Sequence, residues 1–375
     1  MSIRIVVLFG TRPECIKLAP VIESLKKNVH FDVEVWVTGQ HADMLTQAMD
    51  VFEIVPNQHL SLMTENQSLE GFVTKAIIGI GELLDKKSVD AIIVQGDTST
   101  VFAGALAAFY RKIPVFHVEA GLRTYDLYSP FPEEMNRQLV TRLSALHFSP
   151  TELAAQNLRR EGIEEDKIIL TGNTSIDALY MVLRKLKEEK ISIPFSFPTT
   201  KSFVLLTIHR RENMGTHLID ILDAITELAE KYDNLNFLFP VHKNPNVRKV
   251  VYERLSGRNN IILTEPMDYI SFCKAMNDCL FIVTDSGGVQ EEAPALNKPV
   301  LVVRKETERP EGIESGAAIL VGNEKQNIVL HFNKLMEDKK LFDKMAHAHN
   351  PYGDGNAAEK ICSYIFNNLN NEKTS

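Results

Sequence analysis

Short, uninterrupted apolar runs alternate with helical stretches along this chain, and the alternation stops once and then resumes. These two observations predict an α/β protein of two Rossmann-like domains with parallel sheets, because strands buried on both faces lose the in–out alternation of a half-exposed sheet. Length supplies the third: 375 residues at roughly 150 per domain give about two to three domains. A hydrophobic content of 44% is enough to fill complete cores.

The opening apolar run, 3–9, is too short for a signal peptide or a membrane span and reads as a buried strand. A helix at 16–27 follows, then strands at 33–38, 91–95, 115–119 and 146–148, with a further helix at 68–84. The pattern breaks at 188–200, a Lys/Glu-rich stretch followed by one containing Pro and Ser. Strands recur at 203–207, 236–240, 261–263, 281–284 and 299–303. The expected domains are 1–171 and 172–356, with a last helix, 357–373, crossing back onto the first. The turn before that helix is marked by Asn350-Pro351-Tyr352-Gly353-Asp354-Gly355. Ligands of such folds bind beyond the carboxyl ends of the strands, so the expected site lies in the cleft between domains.

The formal charge of −8 leaves no basic surplus for nonspecific binding to nucleic acid or membrane. Cationic clusters must then be local, which suits a small phosphate ligand. Cys15, Cys273, Cys279 and Cys362 form no Cys-x-x-Cys pair, the pattern of a reduced cytoplasmic protein without a structural zinc site.

Candidate chemistry sits at the strand ends. Glu119, Arg123, Glu133, Glu134 and Arg137 bring three carboxylates and two guanidinium groups into a loop-rich stretch, with Asp97 one strand earlier. Acids beside fixed cations are one way proteins tune proton transfer. Gly10-Thr11-Arg12-Pro13-Glu14 follows the first strand; free amides at a helix start would attract an anion and Arg12 would fork onto a phosphate. The alternative is an ordinary helix cap with a surface arginine. Thr284-Asp285-Ser286-Gly287-Gly288 repeats that logic in the second half, with a helix expected to start near Val289 and Glu292 available to ribose hydroxyls. A steric need for glycine in a tight turn would produce the same residues.

His209 lies beside Arg210 and Arg211, its imidazole surrounded by cations unless an anion offsets them. A bound diphosphate would do so, and His209 would then protonate the departing phosphate. His242 and Lys243 end a further strand, residues 304–309 read as a loop closing over a nucleotide, and Phe272 stacks on a base or fills the core. No Gly-x-Gly-x-x-Gly follows a strand and no Tyr has a Lys four positions later, which disfavours nicotinamide chemistry; no cofactor or metal is expected.

Together with Gln95-Gly96-Asp97-Thr98, the 117–124 and 130–138 segments, and Thr307 to Gly312, these motifs resemble the non-hydrolysing UDP-N-acetylglucosamine 2-epimerases of bacteria and archaea over essentially the whole chain. The resemblance implies a glycosyltransferase-B-like fold, a cytoplasmic homodimer, and interconversion of UDP-N-acetylglucosamine and UDP-N-acetylmannosamine for cell-surface polysaccharide. It implies elimination and re-addition of UDP across C1 and C2, with Asp97, Glu119 and Glu133 as the acid/base set and His209 assisting the leaving group. It maps Arg12, Lys17, His242, Ser286, Gly287, Gly288, Glu292 and Arg309 onto nucleotide-holding positions and Phe272 onto the uracil wall. Gln40, Glu134, Arg210 and His242 look like parts of a second, activating substrate site. Asp43 and Asn66 stand where members with that site tend to have glutamine and arginine, which implies altered activation. A hydrolysing 2-epimerase, an epimerase of diacetamido-uronate nucleotides, and a transferase or sensor on the same fold are the alternatives.

Overall fold

The computed structural model describes residues 2–39, 43–62, 67–193, 195 and 202–374. The chain divides into two compact units, residues 1–181 with 352–375, and residues 182–351. It passes from the first to the second inside the helix Thr174–Lys187. Among the described residues no helix is long and apolar enough to cross a membrane.

The first unit is built on a parallel sheet of seven strands: β1 (Ile3–Phe9), β2 (Phe31–Val37), β3 (Gln58–His59), β4 (Ala91–Gln95), β5 (Val115–Val118), β6 (Leu146–Ser149) and β7 (Ile168–Leu170). Their order is β3-β2-β1-β4-β5-β6-β7. The second unit holds a parallel six-stranded sheet of β8 (Phe203–Thr207), β9 (Asn236–Pro240), β10 (Ile261–Thr264), β11 (Ile282–Thr284), β12 (Val300–Val302) and β13 (Ala318–Leu320). Its order is β10-β9-β8-β11-β12-β13. In each sheet the chain starts in the middle, winds to one edge, then returns and winds to the other. That reversal, between β1 and β4 and between β8 and β11, opens a crevice beyond the strand ends where such folds hold ligands.

The near-continuous burial of β1, β4 and β8 follows from helices on both faces. In the second unit Phe237, Phe281 and Phe332 form one aromatic cluster, with Phe332 centroids 5.7 and 4.9 Å from the other two. In the first, the closing helix Ala357–Thr374 packs Phe366 onto His30 (4.8 Å) and Tyr364 onto Phe148 (6.4 Å).

Three strands lie outside the apolar runs read from the sequence: β3, β7 and β13. All are edge strands of two or three residues. An edge strand pairs on one side only and needs no continuous apolar run, so the sequence carries little signal for it. The helix expected near Val289 begins at Gly287, which puts both glycines of the Ser-Gly-Gly turn into its first turn.

Candidate active site

At the reversal point of the first sheet, β1 delivers Gly10 and the helix Arg12–Lys27. Gly10 has no room for a side chain: a Cβ would collide with the hydroxyls of Thr38 and Thr100, which hydrogen-bond each other at 2.8 Å. Two amides of this turn are already satisfied within the chain. The N–H groups of Gly10 and Thr11 both donate to Oε2 of Glu14 at 2.7 Å, and the Thr98 hydroxyl donates to its Oε1. Glu14 is buried, and burial pushes its carboxyl up against the opposing pull of those hydrogen bonds. The Glu14 carboxylate thus ties the loop after β1 to the loop after β4. Arg12 is partly exposed and reaches Met44 Sδ at 3.6 Å.

One turn along the helix, Lys17 Nζ lies 2.6 and 2.7 Å from the two carboxylate oxygens of Glu119. The resemblance places this lysine at the nucleotide; here its ammonium is given to the carboxylate. Gln95, at the end of β4, donates its amide to Glu119 Oε2. Glu119 follows β5 with φ at +63°. A residue with a Cβ in that region carries of order 1–3 kcal/mol of strain, and such outliers cluster at functional sites.

Asp97 follows Gly96 beyond β4. Arg137 Nη2 and Nε approach its Oδ2 at 2.6 and 3.1 Å, and Asn136 Nδ2 donates to its carbonyl at 2.9 Å. Both partners lie on the helix Glu133–Leu143, which Glu133 opens. His117 Nε2 is 2.7 Å from the Gly96 carbonyl. A carbonyl only accepts, so this nitrogen carries the proton. Burial pushes His117 down to about 3, which keeps it neutral. Asp97 is thus held by Arg137 and Asn136, and Glu119 by Lys17 and Gln95, while Glu133 opens the helix that carries Arg137.

Two neighbours expected at the site have other duties. Arg123 has a fully buried side chain, forked onto Glu161 (2.6 and 2.8 Å) and bonded to Thr141 and the Leu122 carbonyl. It braces the loop and offers no cation to a ligand. Glu134, read as part of a second ligand site, is buried: its oxygens accept Thr124 N–H (3.0 Å), Tyr125 N–H (3.1 Å) and Gln138 Nε2 (2.8 Å). It also faces Arg137 at 3.3 Å. An acid so committed holds the loop root and does not line an open site. Gln40 and Asn66 lie outside the described residues, and Asp43 starts the helix Asp43–Val51.

At the reversal point of the second sheet, β8 leads to His209 and β11 to Asp285. Those strands are neighbours, with Thr207 opposite Thr284. Asp285 is fully buried and accepts from His209 N–H (2.9 Å), Arg210 N–H (2.9 Å) and Asn213 Nδ2 (3.0 Å). Its Oδ1 lies 3.4 Å from His209 Nδ1. The His209 ring stacks on His242, centroids 5.5 Å apart at 15°. His242 Nδ1 accepts the Asn244 N–H at 3.1 Å. Burial lowers the His209 pKa; Asp285 opposes that, while His242 and Arg210 reinforce it. An internal anion thus offsets the cations around His209, where the sequence suggested only a bound one.

Gly287 and Gly288 open the helix Gly287–Glu292 behind Ser286. A side chain at Gly287 would meet the guanidinium groups of Arg210 and Arg309 at 3.6 and 3.8 Å, so two cations flank this helix start. Arg309 is held by Glu291, and Thr307 bridges the Arg309 N–H and Gln290 Oε1. Glu292 ends that helix, partly exposed. Phe272 is also partly exposed, between buried Ser271 and Cys273, and so is not consumed by the core.

The residues missed by sequence reasoning are Glu14, Gln95, Asn136 and Asp285. Glu14 had a signal, since a Glu three residues after Thr11 is the spacing of a reciprocal helix cap. Gln95 and Asp285 had none, because their partners are set by strand order.

The family model described as UDP-N-acetylglucosamine 2-epimerase matches residues 23–366. The chain is 47% identical over 371 residues to the UDP-N-acetylglucosamine 2-epimerase of Neisseria meningitidis, covering 97% of this chain and 100% of that one. It is 48% identical over 369 residues to the enzyme of that name from Salmonella borreze, covering 96% and 98%. The crystal structure of the Neisseria meningitidis enzyme bound to UDP-GlcNAc superposes with a TM-score of 0.88 over 97% of this chain and 100% of that chain.

Proposed function

Since the chain belongs to the UDP-N-acetylglucosamine 2-epimerase family, we propose that it interconverts UDP-N-acetylglucosamine and UDP-N-acetylmannosamine without hydrolysis, as a cytoplasmic homodimer supplying polysaccharide synthesis. The observation that supports the chemistry is a pair of acids beyond the carboxyl ends of the neighbouring strands β4 and β5: Asp97, held by Arg137 and Asn136, and Glu119, held by Lys17 and Gln95, with Glu133 at the start of the helix that carries Arg137. The hydrogen at C2 is not next to a carbonyl, so enolate formation is closed to it. Elimination remains. A carboxylate takes the C2 proton, the C1–O bond breaks, and a C1–C2 double bond forms as UDP departs with the bonding pair.

Positive character develops at C1 in that step, and nearby carboxylates stabilise it. Re-addition of UDP with a proton delivered to the opposite face of C2 completes inversion, and two faces require more than one acid/base group. His209 donates to the β-phosphate oxygen as it leaves. Arg12, Lys17, His242, Ser286, Gly287, Gly288, Glu292 and Arg309 hold the nucleotide, and Phe272 covers the uracil. Arg210 and Arg309 with the amides of Gly287 and Gly288 offer the diphosphate a forked cationic seat. Lys17 serves Glu119 before substrate arrives and exchanges onto the nucleotide when it binds. The enzyme needs no cofactor or metal in this scheme.

Proton NMR of the purified protein with UDP-N-acetylglucosamine in heavy water tests the reading. The expected result is UDP-N-acetylmannosamine with deuterium at C2 of both sugars. Accumulation of free N-acetylmannosamine and UDP would move the chain to a hydrolysing reaction, and an unchanged spectrum from UDP-binding protein would reject epimerisation.

A further inference from the structure

We propose that Asp285 is a positioning residue that, with the face of His242, fixes the orientation and tautomer of His209. The proposal rests on the role given above to His209 as donor to the leaving phosphate. Three observations support it. Asp285 is fully buried, and its own geometry is set from behind by Asn213, whose Nδ2 donates to it at 3.0 Å and to the Val303 carbonyl at 3.0 Å. Its carboxylate then grips the backbone N–H of His209 and of Arg210 and faces the imidazole Nδ1 at 3.4 Å. The His242 ring lies nearly parallel to that of His209, centroids 5.5 Å apart, and covers one of its faces.

A carboxylate at Nδ1 selects the neutral tautomer with hydrogen on that nitrogen and stabilises the doubly protonated form. Nε2 is left as the nitrogen that gives and regains a proton. The donor is the doubly protonated ring: as the C1–O bond breaks, its electron pair stays on the β-phosphate oxygen, which takes the Nε2 proton and leaves His209 as the neutral tautomer with Nδ1–H against Asp285. Re-addition returns the proton to Nε2. Among the described residues, the other charged or titratable groups acting on this ring are His242 and Arg210. They disfavour the imidazolium, and Asp285 opposes them. Without Asp285 the imidazolium would be harder to form, and the loop carrying His209 and Arg210 would lose its shared acceptor.

The test is nitrogen-15 NMR of the full-length protein, with the His209 signals assigned by their loss in His209→Asn. The expected neutral tautomer carries hydrogen on Nδ1. In Asp285→Asn the titration midpoint of His209 should fall by about one unit. That variant should also lose about tenfold or more in kcat while its Kd for UDP changes less than about threefold. A neutral His209 protonated on Nε2 in the unaltered protein would overturn the proposal, as would an unmoved midpoint in an Asp285→Asn protein that still binds UDP. Should Asp285→Asn not fold, the tautomer of the unaltered protein decides alone. Full activity in His209→Asn would instead reject the leaving-group role, while the tautomer would still report whether Asp285 governs the ring.

Discussion

At the scale of single residues, buried acids in this protein act as backbone acceptors. Glu14, Glu134 and Asp285 each collect two main-chain N–H groups from a loop at a strand end. A buried amide without a partner costs about 1–3 kcal/mol, so these acids hold loops that would otherwise prefer water. The effect is directional: Glu14 fastens Gly10 and Thr11 to Thr98, next to Asp97. Glu14→Ala orphans two amides and a hydroxyl together and should lower unfolding free energy by about 2–4 kcal/mol in urea denaturation. A loss below about 0.5 kcal/mol would mean water replaces the carboxylate freely. The residues with chemistry to offer were legible from their type and their place after a strand. Whether an acid faces a ligand or the backbone was not, and Glu134 and Arg123 show the cost of reading charge alone.

At the scale of elements, the helix Ala357–Thr374 returns to the first unit, and its start is held by the helix Thr174–Lys187. Asp177 Oδ1 accepts the Ala358 N–H at 2.9 Å, while Oδ2 is buried without a hydrogen-bond partner among the described residues. Burial pushes the Asp177 carboxyl up to about 6 from 3.8. The folded chain therefore holds this proton more tightly than the unfolded one. Its contribution to stability is full below about 3.8 and is lost as pH rises through about 6. Asp177→Asn keeps an oxygen acceptor and carries no charge. It should be more stable than the unaltered protein by about 1–3 kcal/mol at pH 8 and no more stable at pH 4. Urea denaturation at the two pH values checks this; an equal difference at both would reject it. Interior strands such as β1, β4 and β8 were legible because they are buried on both faces. β3, β7 and β13 were not, because pairing with an interior neighbour, and no pattern of their own, makes them strands.

At the scale of the whole molecule, two parallel sheets share one winding order, and each carries its cluster at the reversal point. The homodimer proposed above predicts a sedimentation-equilibrium mass twice the 42.3 kDa of one chain at micromolar concentration. A mass of one chain, with activity retained, would reject the dimer as a requirement for catalysis.

By itself the sequence determined the fold class, the strand-end positions of the chemistry and the family, because burial on two faces and glycine-bearing turns leave local patterns. Tertiary structure alone decided which charges meet. Lys17 reaches Glu119, Arg137 reaches Asp97 and Asp285 reaches His209 across separations of 102, 40 and 76 residues. Those meetings follow from strand order, which side-by-side pairing of β1 with β4 and β8 with β11 fixes and no local stretch of chain encodes.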